Sequence, residues 1–151
     1  MPDGTQTIVT NRRARYDFEL GDRFEAGLVL TGSEVKSLRA GNANLQDAFV
    51  MARPSGLDLM NAYIAPYEMA GYAGHEPSGP RRLLLHKSEI EKLRKGTEQK
   101  GFTIVPTRLY FKNGRAKVEV ALGRGKKTVD KRQTIAERES KRKIDRVLKS
   151  R

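Results

Sequence analysis

GFTIVPTRLYFKNGRAKVEVALGRGKKTVDKR, residues 101–132, decides the fold. Asn113-Gly114 between two alternating runs is the strongest short-range hairpin signal, because both central residues of a type I′ turn need positive φ. With Lys112 opposite Arg115, Phe111 faces Ala116, Leu109 faces Val118, Thr107 faces Val120 and Val105 faces Leu122. That face is apolar apart from one threonine. The other face pairs Tyr110 with Lys117 and Arg108 with Glu119. A slip of one residue would mix the two sets, so the register is well specified. Pro106 falls opposite Ala121 and has no N–H for the ladder, which predicts an edge position or a bulge. Past Leu122 the alternation stops, and Gly123 to Arg132 reads as a flexible cationic exit from the sheet.

The charge distribution singles out the same junction. Arg124 to Arg151 holds 12 Lys and Arg against 4 Asp and Glu, which is +8 of the chain's +12. Cations concentrated in one segment point to a polyanionic partner, nucleic acid or an acidic membrane surface, more than to a solubilising tail. There is no cysteine, which removes disulfides, thiolate catalysis and Cys-based zinc sites. No apolar run approaches the ~20 residues needed to span a bilayer, and Met1 to Thr10 lacks the pattern of a signal peptide. A cytoplasmic protein is expected.

Residues 1–10 are short, polar and contain Gly and Pro, and read as a disordered N-terminus. A body follows over 11–123, and a basic tail over 124–151. Asn11 to Arg15 is a small basic cluster before an alternating strand, Tyr16-Phe18-Leu20. Gly21-Asp22 is expected to turn the chain into a second strand with Phe24, Ala26, Leu28 and Leu30 on one face. Thr31-Gly32-Ser33-Glu34 is a capping box that opens a short helix ended by Gly41-Asn42. A helix of about two turns cannot stand alone, so it is expected to plug one end of the body. Leu45–Ala52 and Leu57–Ile64 read as strands around Pro54-Ser55-Gly56. Pro66–Pro80 reads as loop, with Tyr67 and Tyr72 potentially exposed. Leu83-Leu84-Leu85 reads as a buried strand, and Ser88-Glu89-Ile90-Glu91 as a second capping box whose helix ends at Gly96 or Gly101. Many short antiparallel strands with a helix inserted before the last hairpin predict a mainly β fold. The expected architecture is an oligonucleotide-binding-type antiparallel barrel with two to three short helices and a basic C-terminal tail.

The tail pairs Glu137/Lys141, Glu139/Lys143 and Asp145/Lys149 at i,i+4, acid before base, the favourable order on a helix. Ile135 and Ile144 lie about 180° apart around such a helix, so it has no apolar stripe to dock. The tail is expected to be disordered alone and to fold on a partner.

Enzyme chemistry finds little support. His75 and His86 have no neighbours at metal-ligand spacing, and Gly123-x-Gly125-Lys126 lacks both the first glycine and the Ser/Thr of a phosphate loop. No cofactor or metal is expected. Glu34 reads as a cap. Glu25 fits either an RNA contact or a solvated strand residue. The Gly123–Arg132 run suits phosphate contact with counterion release, and shape recognition of folded RNA would suit a surface of this kind. The residues alone also fit a general RNA-binding or ribosome-assembly protein.

Gly32-Ser33-Glu34-Val35-Lys36-Ser37-Leu38-Arg39-Ala40-Gly41 resembles the helix signature of the small protein B family, the transfer-messenger-RNA-binding or SsrA-binding proteins. Asn11 to Arg15, Phe24-Glu25-Ala26-Gly27, Arg82-Leu83-Leu84-Leu85-His86, Leu109 to Gly114, Gly125-Lys126-Lys127 and Asp130-Lys131-Arg132 support it in the same order. The resemblance implies an oligonucleotide-binding-type barrel that grips the tRNA-like domain of transfer-messenger RNA. It implies delivery of that RNA to stalled ribosomes, for trans-translation and ribosome rescue, with the tail helical in the empty messenger channel. Asn11, Glu25 and Leu84 carry over as RNA contacts, with Arg13, Lys36 and Arg39 as basic neighbours. Arg124, Lys126 and Lys127 join them at the junction. Asp130, Lys131, Arg132, Arg138, Lys141, Arg142 and Lys143 are the tail residues implied to meet ribosomal RNA at the decoding centre and messenger channel. Elongation factor Tu is an implied partner through the shared RNA. Two positions depart from the family's pattern. Tyr16 stands where histidine is frequent, and Val129 stands where an aromatic or histidine is common, which leaves no ring for base stacking at 129.

Overall fold

The computed structural model describes residues 5–67 and 74–125. Along the chain these form β1 (Thr5–Thr10), α1 (Arg12–Asp17), β2 (Phe18–Leu28), α2 (Gly32–Arg39), β3 (Ala43–Asn44), β4 (Phe49–Arg53), β5 (Gly56–Met60), β6 (Tyr63–Ile64), β7 (Arg81–Leu84), α3 (Lys87–Thr97), β8 (Phe102–Lys112) and β9 (Arg115–Gly125). Seven strands make one antiparallel sheet in the order β1-β8-β9-β2-β7-β5-β4, and β3 pairs with β6 beside it. The outer strands β1 and β4 do not pair with each other, so the ladder is not continuous around a barrel.

The hairpin holds the sheet together. Asn113 and Gly114 sit at φ 52° and 79°, and the ladder runs Lys112–Arg115, Phe111–Ala116, Tyr110–Lys117, Leu109–Val118 and Arg108–Glu119. The register then shifts, so that Pro106 meets Val120, Val105 meets Ala121 and Ile104 meets Leu122. The expected pairs Thr107–Val120 and Val105–Leu122 are therefore displaced by one residue. Thr107 is the inserted residue of a bulge, which lets proline sit in a strand flanked by β1 and β9 without an unmet ladder bond.

Further readings change. Thr5–Thr10, expected to be disordered, is a strand on the free edge of β8. Five of its six residues, TQTIVT, are β-branched, and such residues favour a pleated surface; the Pro and Gly lie before them. Gly21-Asp22 does not reverse the chain. It forms a bulge between Leu20–Gly123 and Arg23–Ala121, so β2 is one bent strand of 11 residues along β9. The alternation read at Tyr16 is divided: Arg12–Asp17 is a helical segment, and the strand starts at Phe18. Likewise β9 continues past Leu122 to Gly125, with Arg124 opposite Phe102. The expected strand Leu57–Ile64 is broken into β5 and β6 at Asn61, which has φ 57°.

The core lies between the inner face of this curved sheet and the helices. Leu57, Leu59, Leu83, Ile104, Leu109, Val118 and Val120 are each no more than 2 % exposed. Helix α2 is capped as expected. Thr31 Oγ1 accepts from Glu34 N at 3.4 Å and Glu34 Oε1 accepts from Thr31 N at 2.9 Å, and Gly41 ends the helix at φ 78°. The N-cap of helix α3 lies two residues before the expected one, Ser88. His86 is the N-cap and its N–H donates to Glu89 Oε1 at 3.1 Å. Gly96 lies inside this helix because Leu122 fills the space where a Cβ would be.

Leu38 of α2 is 1 % exposed within the core. Leu38→Asp places a carboxylate there with no partner, and is expected to cost about 4 kcal/mol or more. Urea unfolding of the full chain measures it; a loss below about 1 kcal/mol would mean that α2 does not plug the core.

Candidate nucleic-acid interface

The outer face of the sheet presents two adjacent rows of side chains fixed by strand register. In one, Arg108 of β8 pairs with Glu119 of β9, which pairs with Glu25 of β2. In the next, Tyr110 pairs with Lys117, Lys117 with Gly27, and Gly27 with Leu84 of β7. Lys112 and Arg115 close the patch at the hairpin end. Glu25 and Leu84, far apart in sequence, thus stand on neighbouring positions of one surface. Gly27 keeps that surface open: a Cβ there would lie 3.3 Å from Leu84 Cβ. Leu84 itself is 58 % exposed on its strand, unlike Leu83 beside it. The expected Leu83–Leu85 buried strand is corrected at two positions: alternation turns Leu84 outward, and Leu85 lies past the end of β7, half-buried.

Glu25 is oriented by its neighbours. Tyr110 Oη donates to Glu25 Oε1 at 2.9 Å, and Lys112 Nζ lies 3.5 Å from Oε2. Burial and the adjacent carboxylate push the Tyr110 phenol well above its usual range, so it remains a donor. Its ring also carries the Arg108 guanidinium at 4.4 Å. The carboxylate thus keeps lone pairs for a further donor while its position is set from β8.

The other predicted contacts are dispersed. Asn11 is 8 % exposed and turned inward: Nδ2 donates to Pro106 O at 2.8 Å, and its N–H donates to Thr107 O at 2.7 Å. It clamps the start of α1 onto the β8 bulge. Arg13 is exposed on α1, 4.0 Å from Asp17. On α2, Lys36 lies over the Tyr67 ring at 5.3 Å and Arg39 over the Phe111 ring at 5.1 Å. Arg124 pairs with Glu19 at 3.3 Å across an exposed edge, a contact of the kind that contributes little to stability. Lys126, Lys127, Asp130, Lys131, Arg132, Arg138, Lys141, Arg142 and Lys143 lie outside the described residues, as do Tyr72 and Val129.

Sequence reading missed Arg81. It is 4 % exposed and pairs through Nε with Glu34 Oε2. Its other nitrogens donate to Ala62 O at 2.6 Å, Gly79 O at 3.2 Å, Glu76 O at 3.2 Å and Pro77 O at 3.1 Å. Burial raises the Glu34 carboxyl, but the Thr31 hydrogen bonds and Arg81 outweigh it and hold it below the usual carboxylate range. Glu34 is therefore a cap and an ion-pair partner together. His75, read as a boundary histidine, joins Ser33 Oγ (2.8 Å) to Ile64 O (2.9 Å). No group of side chains that could hold a metal occurs among the described residues. No helix among them is long and apolar enough to cross a membrane.

A family model described as "SmpB protein" matches residues 8–150. An SsrA-binding protein of Thermobifida fusca (strain YX) is 54 % identical over 148 residues, covering 98 % of this chain and 92 % of the relative. One of Anaeromyxobacter sp. (strain K) is 55 % identical over 143 residues, covering 95 % and 88 % respectively. A solved chain from the study "tmRNA-SmpB: a journey to the center of the bacterial ribosome" is 49 % identical with a TM-score of 0.67. That match covers 80 % of this chain and 85 % of the solved one.

Proposed function

The chain belongs to the SmpB family of SsrA-binding proteins, and on that premise we propose that its outer sheet face grips the tRNA-like domain of transfer-messenger RNA. The protein acts with that RNA on the ribosome, in trans-translation. The observation that carries the surface assignment is the register that sets Glu25, Lys117 and Leu84 side by side across Gly27. An exposed leucine offers a face for an unstacked base, the oriented carboxylate accepts from base or ribose donors, and the lysines and arginines meet phosphates. Single-stranded loops of a folded RNA present these groups together, whereas the deep major groove of an RNA duplex does not.

In this reading the sheet curls into an oligonucleotide-binding-type barrel around the core, and Asn11 acts by placing the basic residues of α1 beside the bound RNA. The body, 11–123 together with β1 and the end of β9, recognises the RNA, and the tail beyond Gly125 enters the empty messenger channel as a helix. Asp130, Lys131 and Arg132 lead it into the decoding centre. Elongation factor Tu shares the same RNA, and the setting is the bacterial cytoplasm.

Leu84→Asp tests the surface. Because Leu84 is exposed, the fold is expected to be unaffected while affinity for the tRNA-like domain falls at least tenfold, as read by filter binding or fluorescence anisotropy. Unchanged affinity would remove this face from the interface. Electrostatics gives a second measurement. Replacing Lys126 and Lys127 by alanine should flatten the plot of log K against log salt by roughly 0.7–0.9 for each phosphate that is no longer neutralised. An unchanged slope would assign those lysines to the ribosome step instead.

A further inference from the structure

Beside this face, under α1, lies a cleft of about 460 Å³ bounded by α1, β2 and the bulge of β8. Its volume falls in the range of about 300–1,000 Å³ found for small-molecule sites. Half-buried Leu20 gives it apolar surface above the buried Ala14, and Arg12, Arg23 and Arg108 stand around it with Glu119. Glu119 holds the rim in place. Its Oε2 accepts from Thr107 Oγ1 at 2.6 Å, lies 3.3 Å from Arg23 Nη1 and 3.6 Å from Arg108 Nε. Those three interactions fall on one oxygen, which leaves Oε1 with acceptor capacity.

From this geometry we infer that the cleft is a subsite for one unstacked nucleotide of the bound RNA. Its base lies against Leu20, and its phosphate meets Arg12 and Arg23. The combination selects for a nucleotide over a bare anion. A phosphate alone would leave the apolar lining unused, and an apolar ligand alone would leave three guanidiniums balanced by the single carboxylate of Glu119. Glu119 accepts an amino or imino N–H from the base edge, an interaction a free phosphate cannot supply. The site is built by the two irregularities of the sheet. The bulge at Thr107 turns that hydroxyl onto Glu119, and the bulge after Leu20 re-aims Arg23 toward the same carboxylate. The inference rests on the RNA-binding reading above and concerns the end of that surface under α1, where Arg108 and Glu119 border the cleft.

The absence of cysteine from the sequence provides a direct test. Leu20→Cys puts the chain's single thiol in the cleft. Thr10→Cys, on the exposed margin of the same cleft, serves if the first variant folds poorly by circular dichroism. Glu91→Cys, exposed on α3, is the control. Each variant of the full chain is alkylated with iodoacetamide, alone, with saturating transfer-messenger RNA, and with millimolar nucleoside monophosphate. The expected result is at least tenfold slower alkylation at Leu20→Cys or Thr10→Cys with the RNA, and no change at Glu91→Cys. Arg23→Ala should weaken RNA binding severalfold and restore alkylation in the Leu20→Cys background. Alkylation at the free rate while the RNA remains bound would overturn the subsite and leave the function standing. Protection by the mononucleotide but not by the RNA would make it a free-nucleotide site and overturn the inference. Failure of the wild-type chain to bind transfer-messenger RNA at all would instead sink the function it rests on.

Discussion

Glu34→Gln should lower the stability of the body by about 3 kcal/mol, and Arg81→Met by more. Arg81 is buried and charged, and removing one partner of a buried pair leaves an uncompensated ion, at a typical cost of about 3–5 kcal/mol. In Glu34→Gln the guanidinium still has four carbonyls, which places that variant at the low end. In Arg81→Met the same carbonyls, that of Ala62 deepest among them, are left without their donors as well, each at roughly 1–3 kcal/mol where water does not replace them. A double variant, Glu34→Leu with Arg81→Met, should therefore not recover wild-type stability, although isolated buried pairs are often replaceable by apolar residues. Acid should expose the same interaction. The folded carboxyl titrates below its ordinary value of 4.5, so its contribution is complete above that pH and is lost as the pH falls through the lower folded value. The stability difference between wild type and Glu34→Gln should be constant from neutral pH to about 5 and should close at more acid pH. Urea midpoints measured across that range decide it; a difference independent of pH would remove the carboxylate from the account.

The interaction behind this prediction was only half legible in the sequence. Thr31 and Glu34 at capping-box spacing identified one oxygen's role, because that signal is local. Arg81 is 47 positions away, and an arginine ahead of an apolar run reads as a surface residue until the tertiary fold closes over it. The hairpin was legible for the opposite reason. Asn113-Gly114 pins its turn, and two alternating faces pin its register as far as Arg108–Glu119. Beyond that pair the ladder depends on Pro106, whose missing N–H announces an irregularity without saying which residue is inserted. Gly21-Asp22 failed similarly, since a turn and a bulge use the same residue types. The proposed RNA face was harder still. Glu25 read as either an RNA contact or a solvated strand residue, and Leu84 was singled out only through family resemblance; that they share a surface follows from β2 pairing with β9 on one side and β7 on the other. Tyr110 and Lys117 were placed on the outer face by register alone, yet nothing local marked Tyr110 as the donor that orients Glu25.

Ser140→Pro with Ile144→Pro should separate RNA binding from ribosome rescue. Asp145/Lys149 and the two Glu–Lys pairs before it favour a helix, but ~20 residues without an apolar stripe are at best marginally helical in water. In the proposed mechanism confinement by ribosomal RNA would supply the missing stabilisation, since the many tail cations would then face phosphates on all sides and need no single docking face. A proline inside a helix costs about 3 kcal/mol, through the missing N–H and a clash with the preceding turn. Two of them, one turn apart, should make the helical state inaccessible while leaving an unstructured chain unaffected. With the RNA-binding face on the body, as proposed, the double variant should bind the isolated tRNA-like domain within about twofold of wild type. On stalled ribosomes its tagging of the nascent chain should fall by at least a hundredfold, because both substitutions act on the same element. Tagging at the wild-type level would defeat the tail-helix mechanism. Weakened binding to the isolated RNA would instead move the tail into the first recognition step, and the salt dependence of the Lys126 and Lys127 variant would then have to be read as part of that same step.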